Sequence, residues 1–168
     1  MNAMDEPVLG LQFDDGGAGQ EVDENIMKGI RRLVEDQPFG VLCTQGGGQP
    51  YGSLLAYAYT EDLKHLYFTT SVATRKFRLL KECGRAAMLI DNRSRHPDSL
   101  MDVEALTVTG RALHVKEGDA LEEGIAFLIR RHAYLKTFVR CRTTALFRFD
   151  AIRYLYVTRF QEVRQWVP

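Results

Sequence analysis

The chain has 168 residues, 45% apolar and 26% charged, which is long enough to bury a core and ordinary for a soluble globular protein. Twenty-two Lys and Arg offset twenty-two Asp and Glu, so no global field draws nucleic acid or a membrane surface, and no 18-residue apolar run suggests a membrane span. Cys43, Cys83 and Cys141 are odd in number and widely spaced, so no disulfide framework is expected; a cytoplasmic protein is, with each thiol as a small core residue.

Residues 1–23 are acidic and Gly-rich and lack the cationic start of a signal peptide, so they read as a mobile arm or a strap that orders on a partner subunit. Residues 24–168 read as one domain. Ile26, Ile30, Leu33 and Val34 recur at helical spacing through "ENIMKGIRRLVED", and Pro38 ends that helix. "FGVLCTQ" at 39–45 is a short strand, "GGGQP" a turn, and "YGSLLAYAYT" at 51–60 the returning strand. The glycine run has no lysine and no following helix, so it is not a phosphate loop. "HLYFTT" at 65–70 is a third strand, and the tight turns indicate an antiparallel meander.

A helix from about Thr74 to Cys83 follows, with Phe77 and Leu80 facing inward. "AAMLID" at 86–91 is a fourth strand, and a polar loop covers 92–102. "EALTVTGRALHV" at 104–115 is the longest β-pattern, bent or bulged at Gly110. A further helix runs through "EGDALEEGIAFLIRRH", capped by Asp119, and "TTALFRFDAIRYLYVTRF" adds two strands around Asp150. That many short antiparallel strands avoid exposed edges by closing, so the expected fold is mainly β: a six- to seven-stranded Greek-key barrel with flanking helices.

The helix at 74–83 holds a puzzle. Arg75 and Lys76 occupy its first turn, where the helix dipole favours negative charge. A phosphate held there removes the conflict, because free backbone N–H groups and the positive dipole end both suit it. Arg75 adds a planar fork, Lys76 a point charge and Thr74 a hydroxyl. A bare Arg-Lys pair more often marks a solvated face; the preceding strand and Thr69-Thr70 favour the phosphate.

The ordered set "QPYGSLLAY", "HLYFTT", "TRKFRLL", "AAMLIDN" and "ALTVTGRA" resembles the pyridoxamine 5′-phosphate oxidase-like family of FMN-binding split barrels, over roughly residues 38–115. The resemblance implies a homodimer with FMN at its interface, acting as an oxidoreductase on a small molecule. It implies that Ser53, Leu54 and Leu55 run along the isoalloxazine ring and that Thr69 and Thr70 line the ring or ribityl chain. Thr74, Arg75 and Lys76 then hold the phosphate, and Asn92 and Arg93 add contacts from the end of the next strand. Flavin supplies the redox chemistry, so no side chain is named as acid or base. The alternatives are a flavin carrier or redox sensor without turnover, and a relative holding haem or a deazaflavin.

The chain also departs from true pyridoxamine phosphate oxidases, which carry a basic residue where Ser53 stands and a polar one near Ala105. Their C-terminal substrate clamp has no match here, since Arg159, Arg164 and Trp166 stand at other spacings. Oxidation of pyridoxamine phosphate itself is therefore not expected. His65, His96, His114 and His132 show no metal-ligand spacing, so no metal site is expected; His96, in the loop after Asn92, is the one to watch near a flavin but reads as a solvated loop histidine. The basic, aromatic-interleaved stretch at 130–142 reads as a solvated helix end or an anionic substrate's entry rather than a nucleic-acid surface.

Overall fold

Alternating apolar side chains build one antiparallel sheet of seven strands in a computed structural model that describes residues 24–159 and 162–168. The strands are β1 (Phe39–Gly46), β2 (Gln49–Tyr59), β3 (His65–Ser71), β4 (Arg85–Asp91), β5 (Ala105–Val115), β6 (Thr144–Thr158) and β7 (Glu162–Trp166). They lie in the order β3-β2-β1-β4-β5-β6-β7, and β3 also pairs with β6, closing the first six into a barrel. The split-barrel class expected from the sequence is the one observed. The arm read at residues 1–23 lies outside the described residues.

Leu42, Leu55, Tyr57, Phe68, Val108 and Phe147 point into the barrel and are buried there, each contributing roughly 1.5–3 kcal/mol. Helix α1 (Glu24–Asp36) closes one end with Ile30, Leu33 and Val34, and the hydroxyl of Tyr57 meets the Val34 and Gln37 carbonyls at 2.9 and 2.8 Å. Helix α2 (Arg75–Glu82) closes the other end, where Phe77 meets His114 and Phe147 edge-on. Helix α3 (Asp119–Arg131) lies outside, against Ala58, Tyr67 and Leu146, with a short α4 (Lys136–Val139) beyond it. Gly124 allows that approach, since a Cβ there would stand 2.6 Å from Leu146 and 2.8 Å from Tyr67.

Several expectations need correction. The hairpin turn is Gly47-Gly48 alone, both at positive φ, so β2 begins already at Gln49. Asp150 does not divide two strands: β6 runs unbroken through it because its carboxylate is satisfied on the outer face by Arg148 at 2.7 Å and His65 at 2.8 Å. The bulge at Gly110 is present, and the seventh strand comes from residues 162–166 instead. Helix α3 has Gly118 at its N-cap position, with no side-chain cap, and Asp119 is its first residue. Cys43 and Cys141 are exposed and Cys83 is half-buried, so none is a core residue; Cys43 falls on the outward phase of β1.

Candidate functional site

Strands β2 and β3 are paired only from Tyr57↔Phe68 to Tyr59↔Leu66. β2 nonetheless stays paired with β1 back to Gln49, and β3 stays paired with β6 out to Ser71. The barrel wall therefore opens into a seam between residues 49–56 and 69–71, leaving one edge of β2 without its ladder among the described residues. The seam lies at the α2 end of the barrel.

Four of the residues named from the sequence meet there. Thr70 points inward, and its hydroxyl lies 2.9 Å from that of Thr74. Thr74 is the N-cap of α2: its Oγ1 accepts from the Phe77 N–H at 3.3 Å and donates to the Ser71 carbonyl at 2.8 Å. These bonds leave the Arg75 and Lys76 amides at the helix tip unclaimed by the cap. The guanidinium of Arg75 reaches back over the ring of Tyr51 on β2, 5.1 Å from its centroid, so α2 and the seam edge are tied together. Lys76 is half-buried, and desolvation pushes its ammonium below the usual lysine range.

Ser53 and Leu55 also face inward on β2. The Ser53 hydroxyl is buried with no hydrogen-bond partner among the described residues, a position that costs free energy unless something polar meets it. That orphaned oxygen, beside an unpaired strand edge and two cations at a helix start, is what a ring with polar edges and a phosphate would satisfy. The residues present fit FMN.

The side chains of the remaining named residues go elsewhere. Thr69 alternates to the opposite face of β3 from Thr70 and is buried. Leu54 points outward, 69% exposed, and shares a hollow of about 140 Å³ with Val41, Leu89, Asp91 and Arg93. Arg93 is paired with Asp91 at 2.9 Å. Asn92 is not brought to the seam: buried, its amide exchanges hydrogen bonds with Glu104, giving to Oε2 at 3.1 Å and accepting from the N–H at 2.8 Å. It clamps the 92–104 loop to the sheet, and Arg95 ties that loop to Asp36 of α1 at 3.0 Å. His96 lies in the same loop, at the α1 end.

Tyr51 was missed from the sequence; its inward phase, two residues before Ser53, was the available signal. The basic stretch at 130–142 is structural at its start. Arg131 donates to the carbonyls of Val34 and Gln37 at 2.6 and 2.8 Å, and His132 contacts the Tyr57 carbonyl at 2.8 Å. Arg159 and Arg164 line a groove with α1 and Tyr156, and Trp166 packs on Tyr154, all away from the seam.

The chain belongs to the pyridoxamine 5′-phosphate oxidase family, whose model matches residues 26–158. Among curated proteins none matches it. Solved structures share the fold at low identity. A heme binding protein from Mycobacterium smegmatis has a TM-score of 0.73 at 20% identity, over 82% of this chain and 55% of its own, so the present chain spans about half of that protein. HutZ, a heme storage protein from Vibrio cholerae, has a TM-score of 0.67 at 16% identity, over 83% of this chain and 92% of its own. An FAD-binding protein from Mesorhizobium loti has a TM-score of 0.60 at 18% identity, over 74% and 87%. Among the described residues no helix is long and apolar enough to cross a membrane.

Proposed function

We propose that the protein is an FMN-binding flavoprotein, a homodimer that acts as an FMN-dependent oxidoreductase on a small molecule. The observation that carries this reading is the seam: an unpaired edge of β2 with the orphaned Ser53 hydroxyl, ending on Arg75 and Lys76 at the start of α2. Arg75 and Lys76 would hold the phosphate, with Thr70 and Thr74 beside it. Ser53 and the backbone of Leu54 and Leu55 would meet the pyrimidine edge. Bound flavin supplies hydride and electron transfer; these residues bind, orient and exclude water. Pyridoxamine phosphate itself remains an unexpected substrate, because Arg159 and Arg164 sit with α1 rather than with the seam.

A second copy of this chain is the partner this reading requires. Helix α3 covers the outer face over β2, β3 and β6, whereas the outer face of β4, β1 and β2 carries Phe39, Val41, Leu54 and Leu89 with no helix of the described residues over it. Phe39 is 46% and Leu54 69% exposed, in cross-strand register through Val41, and a twofold pairing would bury this patch beside the seam. Leu54→Lys should turn a dimer into a monomer of about 19 kDa in sedimentation, with flavin lost in parallel; an unchanged dimer would remove this surface from the proposal. Three free thiols are consistent with a cytoplasmic setting.

Mass spectrometry and absorbance of the small molecule released on denaturation test the cofactor. FMN supports the reading, and steady oxidation of reduced nicotinamide by the loaded protein then separates an enzyme from a flavin carrier. A porphyrin instead would favour the haem reading, which rests on the two heme-named structures with this fold.

A further inference from the structure

The outer face of β5, β6 and β7 is not the solvated side that an antiparallel sheet usually turns to water. Past the bulge, β6 sends Tyr154 and Tyr156 into the barrel, so Arg153, Leu155 and Val157 point out. In register with them on the same face stand Ala87, Thr107, Thr109 and Val163, small or β-branched and all half-buried. Leu155 is only 9% and Arg153 only 5% exposed, yet Leu155 belongs neither to the barrel core nor to the cluster beneath α3. A guanidinium buried on the outside of a sheet is held by acceptors. The outward carboxylates of β4 and β6, Asp91 and Asp150, are engaged by Arg93 and by Arg148 with His65.

We propose that residues 1–23 lie across this face of their own chain as a strap. The described chain begins beside it: Asn25 and Ile26, at the start of α1, share a hollow with Thr158 and Glu162, where β6 turns into β7. Phe13 stands eleven residues before Glu24, up to about 35 Å of extended chain, whereas the strands from β4 to β7 span only about 14 Å. Leu9, Leu11 and Phe13 recur every second residue, which offers three apolar side chains to Leu155, Val157 and Val163. The same segment carries Asp5, Glu6, Asp14, Asp15, Glu21 and Asp23 with no Lys or Arg, the complement of Arg153. Gly16, Gly17 and Gly19 allow the bend into α1. A strap over β5 to β7 leaves Phe39, Val41 and Leu54 open to a second copy, and the assignment does not depend on the seam.

The test uses the full chain with benzoylphenylalanine in place of Phe13, irradiated and mapped by mass spectrometry. Adducts should fall on peptides holding residues 105–109, 153–157 or 163–165, in a product of about 19 kDa, so that the link lies within one chain. Leu9→Asp with Leu11→Asp and, separately, Leu155→Asp should each lower the melting temperature by about 3 °C or more. All three changes together should lower it no further than Leu155→Asp alone, because strap and face lose the same contact. The Leu9 and Leu11 changes lie outside the barrel, so they keep the test open should Leu155→Asp fail to fold: they should speed chymotrypsin cleavage after Phe13 at least tenfold. Adducts on α3, links only between chains at twice the mass, additive melting losses, or cleavage unchanged by the Leu9 and Leu11 changes would overturn the assignment.

Discussion

The guanidinium of Arg75 lies over the ring of Tyr51, 5.1 Å from its centroid, so the first residue of α2 is pinned to the edge of β2 that the barrel leaves unpaired. A cation at a helix start opposes the dipole, yet here it is held in place rather than left to drift into solvent. Pre-organising it against Tyr51 lowers the entropy lost when it meets a phosphate.

If Arg75 and Lys76 hold the flavin phosphate, changing both to Ala removes two charge-assisted contacts of roughly 1.5–3 kcal/mol each. FMN affinity should fall by about two to four orders of magnitude, since 1.4 kcal/mol is tenfold. Riboflavin, which lacks the phosphate, should lose far less. Titrating both ligands into both proteins at one ionic strength checks this; equal FMN affinity ends the phosphate assignment.

Ser53→Ala has a sign that separates ligand contact from packing. The buried hydroxyl has no partner among the described residues, so its removal should leave the flavin-free protein unchanged or up to about 1 kcal/mol more stable in urea unfolding. FMN binding should weaken by roughly 1 kcal/mol, the net worth of one hydrogen bond. A variant that binds FMN as the parent does would separate Ser53 from the flavin.

Arg131 reaches from α3 to the last carbonyls of α1, giving to Val34, Gln37 and, at 3.3 Å, Glu35, while lying over the rings of Tyr57 and Tyr59. Arg131→Met keeps the packing and removes the charged cap. A loss of about 2–4 kcal/mol is expected, seen as a melting temperature lower by roughly 5–15 °C in calorimetry. A shift within a degree would show the contacts to be replaceable by water.

Two histidines are held below their ordinary range. Burial lowers His114, with Lys81 and Lys116 adding to it. Burial also lowers His132, with Arg131 adding and the bond to the Tyr57 carbonyl opposing. Unfolding lets each take up a proton at an ordinary value near 6.5, so the stability they contribute is full above that pH and is lost as pH falls below it, levelling once the folded-state values are reached. The slope between pH 6.5 and 5 should be at most about 1.4 kcal/mol per pH unit for each. His114→Phe, which preserves the stack on Phe147, should flatten it by up to one proton in urea titrations run across that window.

The sequence by itself determined most of the strands: in "ALTVTGRALHV", for example, a period of two places Leu106, Val108 and Ala112 on one inward phase. It also determined that Thr74 begins a helix and that Arg75 and Lys76 stand in its first turn, since capping and helical spacing are local. Asp150 was misread as a break because its partner His65 lies 85 residues away, and no local signal announces that pairing. Asn92 looked like a ligand for the same reason: only the fold brings Glu104 to it. The seam itself belongs wholly to tertiary structure. Whether β2 and β3 separate beyond the Tyr57–Phe68 pair depends on how β3 stays with β6 and β2 with β1, a competition between long-range ladders that neither strand's residues encode alone.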